Sequence, residues 1–381
     1  MAGLNETPSA DRVRISFFGR RNAGKSTLVN AITGQEIAIV SDVPGTTTDP
    51  VSKAMEILPL GPCLLTDTAG LDDEGPLGEE RVRRSLEVLS TTDVAVWVGD
   101  PEQEFQDACA RRGVPVLIYR RGDDVEALKR QIAAVRLAEE PPPLLKDLVE
   151  PGDTVACVCP IDESAPKGRL ILPQQQVVRE LLDAGCSALV CQPGELSAHF
   201  AAGRRIDLVV TDSQAFKAVD AVVPRDVPLT SFSILFARQK GDLAAYRAGV
   251  DAIHGLKDGD RVLVAEGCTH HRQCNDIGTT KIPRALARLT GGRKLDFTFC
   301  SGASFPFASP SADGGAKGYA LVVHCGGCML ARRVVQDRIA ACREADVPIV
   351  NYGMLLAAAN GMRVAPEGCL VLRDVSGSQS A

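Results

Sequence analysis

Residues 19–26 have the types and the spacing of a phosphate-binding loop. They read Gly-x-x-x-x-Gly-Lys-Ser, they follow an apolar strand pattern at 13–18, and a helical pattern continues to residue 33. In such a loop, backbone N–H groups surround the phosphates, the lysine neutralises the charge of the β- and γ-phosphates, and the hydroxyl binds Mg²⁺. The sequence therefore predicts a nucleotide site in which Lys25 and Ser26 take the last two roles.

Two later segments indicate which kind of nucleotide-binding protein this is. A second apolar strand pattern ends in Asp-Thr-Ala-Gly at 67–70, where Asp67 can hold the magnesium shell and the amide of Gly70 can sense the γ-phosphate. The run Pro-Gly-Thr-Thr-Thr-Asp at 44–49 stands in the position of a first switch. Together these segments resemble the G1, G2 and G3 boxes of small regulatory GTPases.

Asn22 and Ala23, with the Gly-Thr-Thr run, resemble the branch of GTPases that modifies tRNA or assembles ribosomes. This resemblance implies that Asn22 helps to bind an activating K⁺ and that Thr47 is the magnesium-linked switch threonine. The predicted catalytic residues are Lys25, Thr47, Asp67 and Gly70. The predicted site for GTP, Mg²⁺ and K⁺ comprises Gly19, Asn22, Ala23, Gly24, Lys25, Ser26, Thr27, Thr47, Asp67 and Asp123.

The segment that should read the base departs from the GTPase pattern. After a strand pattern at 115–119 the chain reads Arg-Arg-Gly-Asp in place of Asn-Lys-x-Asp, so only Asp123 matches. Two interpretations stay open, namely drift within a working guanine pocket and weakened or non-selective nucleotide binding. Leu71 follows the Asp-Thr-Ala-Gly turn and cannot orient a water molecule. We therefore expect slow hydrolysis unless K⁺, a partner or dimerisation assists.

A second group of reactive residues lies in the last third of the chain. Residues 320–328 read Ala-Leu-Val-Val-His-Cys-Gly-Gly-Cys, which predicts a buried strand, a tight turn and a helix from Met329. The amides at the N-terminus of that helix would favour the thiolate form of the two cysteines. Another apolar strand pattern, at 261–265, leads into Glu-Gly-Cys-Thr-His-His-Arg-Gln-Cys at 266–274. A two-thiol motif alone fits a metal site, a redox pair or chance. By spacing alone the combined residues fit a closed zinc site and an iron–sulfur cluster equally well.

The arrangement of strands and helices predicts how these residues are brought together. Both polar segments come after the carboxyl end of a strand, which is where open α/β sheets bind ligands. Short strands alternate with helices throughout, so the predicted fold class is α/β. We expect three α/β domains: a P-loop GTPase domain at 1–140, a small parallel-sheet dimerisation domain at 141–238, and a third domain at 239–381. The three prolines at 141–143 mark the first boundary.

Composition narrows the classes of function. A net charge of −6 argues against a sequence-independent nucleic-acid binder, so we expect no nucleic-acid partner. No apolar segment is long enough to span a bilayer, and residues 1–11 hold no apolar leader, so we expect a cytoplasmic protein without a membrane partner. Its thirteen cysteines should then be reduced, which favours metal ligands over disulfides where they cluster.

The cysteine pattern resembles one maturation family. Cys-x-His at 268–270, followed after residues 271–323 by His-Cys-x-x-Cys, resembles the signature of the FeFe-hydrogenase maturation GTPases, the HydF family. Residues 164–169 and 351–353 agree with it. The resemblance implies an iron–sulfur domain at 239–381, with a 4Fe–4S cluster on Cys268, Cys325 and Cys328. The candidates for an exchangeable fourth ligand are His270, His271 and His324, each of which could instead donate a hydrogen bond near the cluster.

The same resemblance implies a scaffold rather than an ordinary enzyme. A family member receives a di-iron precursor made with two radical-SAM maturases and hands it to the apo-FeFe-hydrogenase. It acts as a homodimer and carries a weak GTPase whose nucleotide state biases partner docking. The second hypothesis is a K⁺-activated GTPase of RNA modification or ribosome assembly that carries a structural zinc module. That hypothesis requires a basic surface, whereas the chain has 42 Lys and Arg against 48 Asp and Glu.

Overall fold

The structure is a computed structural model that divides into two compact units, residues 1–140 and 141–381. The residues that it describes are 12–34, 51–71, 85, 87–137, 142–161, 170–267, 277–302, 305–306, 318–366 and 368–373. Several predicted features lie outside these ranges: Thr47, Cys268, His270, His271 and the segment 164–169. Those predictions remain predictions.

The first unit is built on a five-stranded sheet of order β2-β3-β1-β4-β5, in which only β2 is antiparallel to its neighbour. The strands are β1 Val13–Phe18, β2 Val51–Ile57, β3 Gly61–Asp67, β4 Val94–Val98 and β5 Val116–Tyr119, and the helices are α1 Lys25–Thr33, α2 Gln103–Arg112 and α3 Val125–Leu137. Alternate residues of β1 pack on opposite faces. Phe17 packs with Leu28 of α1, and Phe18 packs with Phe105 of α2. Burial on both faces explains why the parallel strands are almost continuously apolar.

The second unit begins with a four-stranded, fully parallel sheet of order β7-β6-β8-β9, called the first sheet below. Its strands are β6 Thr154–Val158, β7 Ser187–Cys191, β8 Leu208–Thr211 and β9 Leu229–Ser231, and its helices are α4 Leu172–Asp183, α5 Leu196–Ala201, α6 Phe216–Asp220 and α7 Phe232–Lys240. Its order means that the chain leaves β6 in one direction to reach β7 and then crosses to the other side for β8.

The second sheet of this unit is also parallel and has the same arrangement, β11-β10-β12-β13. Its strands are β10 Arg261–Glu266, β11 Asp296–Ser301, β12 Tyr319–His324 and β13 Ile349–Asn351. Its helices are α8 Leu243–Ala252, α9 Ile282–Leu289, α10 Arg332–Glu344 and α11 Tyr352–Ala359, and a two-stranded ribbon follows, β14 Arg363–Val364 with β15 Val371–Leu372. The connections diverge between β10 and β12, which opens a crevice at the carboxyl ends of these two strands.

The two sheets share one hydrophobic core. Val210 and Phe236 of the first sheet and its helices belong to the same buried cluster as Leu263 and Val322 of the second. Helix α7 packs against α10 and α11, and the boundary predicted between residues 238 and 239 falls inside α7. The division into three domains therefore stays a prediction, while the predicted α/β class is confirmed. None of the described helices is both long enough and apolar enough to cross a membrane.

Candidate functional site

The phosphate-binding loop has the backbone that its sequence predicts. Helix α1 begins at Lys25, directly after Gly24, and the residue two before Gly24, Asn22, has a left-handed φ of 59°. Asparagine is one of the few residues with a side chain that adopts this conformation readily. At Gly19 a Cβ atom would lie 2.7 Å from the carbonyl oxygen of Val98, so the close passage of loop and strand requires glycine.

Lys25 is held inside this loop. Its side chain is only 7% exposed, and Nζ donates to the carbonyl oxygens of Gly19 at 3.0 Å and Arg20 at 2.8 Å. The ammonium group thus lies near the N-terminus of α1, where the backbone N–H groups and the helix dipole also favour an anion. This arrangement suits the binding of nucleotide phosphates.

Ser26 and Asp67 form the oxygen-rich part of the same site. Ser26 Oγ donates to Asp67 Oδ2 at 2.5 Å, and Asp67 is 6% exposed. Within the described part of the chain, Asp67 Oδ1 is buried and has no hydrogen-bond partner. Burial raises the pKa of Asp67, while the Ser26 hydroxyl and the Lys25 charge act in the opposite direction. A hydroxyl beside a carboxylate with a spare oxygen is a donor set that fits Mg²⁺.

The Asp-Thr-Ala-Gly turn lies directly on the phosphate-binding loop. A Cβ at Gly70 would lie 2.7 Å from the backbone nitrogen of Arg21, and the N–H of Leu71 donates to the carbonyl of Gly19 at 3.4 Å. The structure therefore brings together Lys25, Asp67 and Gly70 of the predicted catalytic set, and their catalytic roles stay a prediction. Asn22, Ala23 and Thr27 lie on the same loop and helix start.

The predicted base-reading segment is closed by hydrogen bonds among its own residues. Asp123 Oδ2 accepts a hydrogen bond from the backbone N–H of Arg120 at 2.6 Å, and the Tyr119 hydroxyl donates to the Asp123 carbonyl at 3.2 Å. The guanidinium of Arg120 pairs with the exposed carboxylate of Asp100 at 2.9 Å. One carboxylate oxygen of Asp123 is thus engaged in closing its own loop, and the role of Asp123 in reading a base stays a prediction.

The thiol of Cys325 lies at the crevice of the second sheet. Cys325 is the first residue after β12, and its Sγ accepts hydrogen bonds from the N–H groups of Gly267 at 3.0 Å and Gly327 at 3.4 Å. Gly267 is the first residue after β10 and directly precedes Cys268 in sequence, and its N–H group contacts the Cys325 sulfur. N–H groups aimed at sulfur favour the thiolate, the form that binds metals.

The helix after this turn starts later than predicted. We expected it from Met329, with helix N-terminal amides next to the thiols, but α10 begins at Arg332 and residues 325–331 form a non-helical turn. Ala331 has an extended backbone with a ψ of 150°, so a helix from Met329 cannot continue through it. The N–H groups that meet Cys325 therefore come from the turn and from the neighbouring strand, and the prediction of a helix-dipole effect was wrong.

Opposing effects act on the two described thiols. Burial raises the pKa of Cys325, while the N–H groups of Gly327 and Gly267 and the charge of Arg338 lower it. Burial and the neighbouring Cys325 raise the pKa of Cys328 to about 11, although the charge of Lys240 opposes the rise. Without a metal these thiols are protonated, so binding a metal there releases protons.

His324 is fully buried and both of its ring nitrogens are engaged. Nε2 lies 3.1 Å from Nη1 of Arg338, a group that can only donate, so Nε2 is the acceptor. The hydrogen is therefore assigned to Nδ1, which donates to the carbonyl of Cys325 at 2.7 Å. Burial, with the charge of Arg338, lowers the pKa of His324 to about 3. The neutral ring braces the turn, and ligating a metal would require it to give up one of these bonds.

Three further residues around the turn were given no role by the sequence, although Asn351 lies in the segment 351–353 that carries the family resemblance. Asn351 is fully buried and its Nδ2 donates to the Cys325 carbonyl at 3.4 Å. Lys240 and Arg338 are each 4% exposed and contact the turn or His324. A signal existed for Arg338, since residues 335, 338, 339 and 342 of α10 form one buried stripe at helical spacing. No such pattern singles out Lys240, whose contacts depend on a distant part of the chain.

Two of the three predicted thiolates are thus on one turn, and the third lies outside the described residues. Among the residues that the structure describes, no group of three or more His, Cys, Asp or Glu side chains is placed to hold one metal ion. The described donors, thiols with N–H groups directed at sulfur, fit an iron–sulfur cluster.

Comparison with known families covers most of the chain. The hydrogen maturase F dimerization domain matches residues 144–241, and the hydrogen maturase F tetramerization domain matches residues 244–365. A 50S ribosome-binding GTPase domain matches residues 14–121. The two hydrogen maturase F domains together cover more than half of the sequence.

The chain belongs to the hydrogen maturase F family. The suspected family is thereby confirmed, the chain carries a GTPase domain, and its two other domains are those of a family that assembles into oligomers. The third segment, which we expected to be a cluster-binding domain, matches the domain named for tetramerization.

Curated relatives resemble only a part of this hydrogen maturase F chain. The tRNA modification GTPase MnmE of Methylobacterium sp. is 40% identical over 127 residues, 32% of this chain and 28% of its own length. GTPase Der of Heliobacterium modesticaldum is 44% identical over 102 residues, 26% of this chain and 23% of its own length. The chain thus spans less than a third of each of these relatives, and the likeness concerns the GTPase domain.

Among solved structures, Aquifex aeolicus Era bound to GDP·AlF4⁻ matches with a TM-score of 0.25 and 15% identity, over 76% of this chain and 92% of the Era chain. A likeness this weak carries no argument about the present chain.

Proposed function

We propose that the chain is a scaffold of FeFe-hydrogenase maturation that holds a 4Fe–4S cluster on Cys268, Cys325 and Cys328. The observation that carries this proposal is the pair of hydrogen bonds from Gly267 and Gly327 to the Cys325 sulfur. The bond from Gly267 brings the residue before Cys268 into contact with the sulfur of Cys325, which is the first thiol of the Cys-x-x-Cys turn. Family membership supports the role in hydrogenase maturation.

Three thiolates leave one iron of such a cluster without a cysteine ligand. When bound, the cluster offers that iron to a bridging ligand of a di-iron precursor, which is cargo made with the two radical-SAM maturases and destined for the apo-hydrogenase. His270 and His271 stay candidates for the exchangeable fourth ligand. His324 is the weaker candidate, because its nitrogens are engaged by Arg338 and by the Cys325 carbonyl.

The nucleotide site is proposed to act as a switch of slow turnover. Lys25, Ser26 and Asp67 suit GTP with Mg²⁺, while Leu71 offers no group that could orient a water molecule. Asn22 is proposed to help bind K⁺, and Thr47 to bind the magnesium-linked shell. Nucleotide state would then bias the docking of partners rather than drive chemistry at the cluster.

The decisive experiment is activation of an apo-FeFe-hydrogenase by the reconstituted full-length protein. The wild type should activate it, and Cys325→Ala should not, because the variant lacks a cluster ligand. Cys157→Ala is the matched control, since this thiol is fully buried in β6 and burial raises its pKa to about 12. A wild-type protein that takes up zinc instead of iron, or Cys325→Ala that activates as well as Cys157→Ala, would refute the scaffold.

A separate experiment tests the switch. Lys25→Ala should lose nucleotide binding because it removes the buried ammonium from the phosphate site. Its cluster content should stay at the wild-type level, and its binding of the maturases should no longer respond to added GTP. If Lys25→Ala released the maturases on addition of GTP as the wild type does, the switch role would be wrong while the scaffold would stand.

A further inference from the structure

Two buried cations flank the turn that carries Cys325 and Cys328. Lys240, the last residue of α7, is 4% exposed, and its Nζ donates to three carbonyl oxygens of the turn. The distances are 3.4 Å to Gly327, 3.1 Å to Cys328 and 2.8 Å to Leu330. The lysine thus holds the turn from a helix of the first sheet, almost ninety residues away in sequence.

Arg338 approaches from the other side, on α10. Its Nη1 contacts His324 Nε2, its Nη2 donates to the carbonyl oxygen of Gly302, and its guanidinium carbon lies 4.8 Å from the ring centre of Phe305. These partners are an imidazole, a carbonyl and an aromatic ring, and none of them carries a negative charge. In the described part of the chain, no carboxylate forms an ion pair with Arg338.

Such a guanidinium is costly to bury. Taking an ion out of water costs several kcal/mol, and proteins normally offset this with an opposite charge. The pair of hydrogen bonds from Arg338 through His324 to the Cys325 carbonyl directs this cation at the thiol turn. The site is therefore arranged for an anion that arrives with the bound state.

We propose that Arg338 and Lys240 are positioning residues of the metal centre that offset the negative charge of a thiolate-bound cluster and so raise its reduction potential. The inference rests on the proposed function, because the anion is the cluster. A 4Fe–4S core of charge 2+ on three thiolates has one net negative charge, and one electron from an external reductant makes it two, with no bond formed or broken. A nearby cation stabilises the doubly negative state more.

The test is a redox titration of the reconstituted full-length protein with dithionite, followed by the electron paramagnetic resonance of the reduced cluster. In Arg338→Gln an amide can still donate to His324, but the charge is lost. At a fixed potential, the ratio of reduced to oxidised cluster should fall about tenfold, which is 59 mV for a one-electron couple. Lys240→Gln should shift it in the same direction, and Arg338→Lys, which keeps the charge, should restore most of the loss.

Arg373→Gln is the matched control. The Arg373 side chain is 5% exposed, pairs with Asp220 at 3.5 Å and donates to the carbonyls of Val223, Pro224 and Val227, so it is a largely buried guanidinium that holds another turn. Its loss should lower stability without moving the midpoint potential.

The outcomes separate the two proposals. If the wild type forms no iron–sulfur cluster, the proposed function itself fails. If the wild type forms one, and neither Arg338→Gln nor Lys240→Gln shifts the midpoint more than Arg373→Gln does, the charge inference is overturned while the scaffold stands. Should Arg338→Gln fail to fold, Lys240→Gln and Arg338→Lys decide the question. An unchanged midpoint potential in Lys240→Gln refutes the inference. A tenfold fall in the ratio of reduced to oxidised cluster in Lys240→Gln, with a ratio near that of the wild type in Arg338→Lys, supports it.

Discussion

The two sheets of the second unit have the same strand order, and each has a thiol at the carboxyl ends of its two central strands. Cys159 follows β6, the first strand of its sheet along the chain, whereas Cys325 follows β12, the third strand of its sheet. Cys159 is 2% exposed, and its Sγ donates to the carbonyl of Cys157 at 3.6 Å. Cys325 Sγ instead accepts two N–H groups. The direction of hydrogen bonding therefore differs between the thiol that donates within the core and the thiol that we propose as a cluster ligand.

The charges near the two thiols differ. Burial, reinforced by the carboxylate of Asp212, raises the pKa of Cys159. At Cys325 the guanidinium of Arg338 lowers the pKa against the effect of burial, and the carboxylate of Glu266 opposes it to a smaller extent. The carboxyl ends of two central strands thus hold a packed thiol in one sheet and a proposed cluster ligand in the other, because topology places residues and their types decide the chemistry.

The prediction with the largest expected effect tests whether the two sheets unfold as one cooperative unit. Phe236 is fully buried in the core that both sheets share. Phe236→Ala should destabilise the second unit by about 3–5 kcal/mol, because it removes an aromatic side chain from a packed interior. Hydrogen exchange should show lost protection in β6 and β10 alike, while Val190→Ala, at a side chain 44% exposed on β7, should change little. Loss of protection confined to the first sheet would show that the cores are independent.

The next effect tests the contrast between the thiols. After anaerobic reconstitution, Cys325→Ala should retain less than a tenth of the wild-type iron, because removal of a ligand costs more than the ten- to hundredfold typical of residues that only support ligands. Cys159→Ala should keep its iron and lose only packing. Equal iron loss in the two variants would mean that the direction of hydrogen bonding does not distinguish a ligand from a packed thiol.

The motifs that local sequence patterns define could be located from the sequence. The phosphate-binding loop, the turn at 67–70 and the placing of Cys325 after a strand depend on strand endings that apolar runs reveal. Prediction from the sequence failed where contacts join distant residues. Lys240 meets Gly327 across 87 positions, and no local pattern marks that meeting. The late start of α10 at Arg332 was also missed, since apolar periodicity cannot tell the non-helical turn at 328–331 from a first helical turn.

A third test compares the polar groups that line the two carboxyl edges. In the first sheet, Gln174 accepts from the N–H of Ile171 and donates to Asp212, each at 3.0 Å. Gln174→Ala should cost about 1–3 kcal/mol by leaving buried partners unsatisfied, and should not change iron content. In the second sheet, the Tyr352 hydroxyl donates to Glu266 at 3.3 Å, two residues before Cys268. Tyr352→Phe should weaken iron binding about tenfold in a chelator competition. Equal iron affinity in Gln174→Ala and Tyr352→Phe would mean that the polar groups at the carboxyl edge of the second sheet do not support iron binding.

The smallest effect concerns acid stability of the first sheet. Asp207 directly precedes β8, where its Oδ2 accepts from the N–H of Thr154 at 2.9 Å and its Oδ1 pairs with Arg205 at 2.7 Å. The Thr154 N–H, together with Arg205, holds the pKa of Asp207 below its usual value. Because the folded pKa is the lower one, this stabilisation is present above the unfolded pKa and is lost as the pH falls through the folded pKa.

Asp207→Asn should therefore lower the melting temperature at neutral pH by about 2–4 °C, the shift that ~1 kcal/mol gives in a unit of this size. The difference from wild type should shrink as the pH falls below about 4, since the wild-type carboxylate is then being protonated as well. Arg205→Gln should have the smaller effect, because the side chain of Arg205 is 77% exposed and the Thr154 hydrogen bond remains. A deficit of the same size at neutral and acid pH would mean that the introduced amide disturbs the packing of β8, and that the charge of Asp207 contributes nothing to the first sheet.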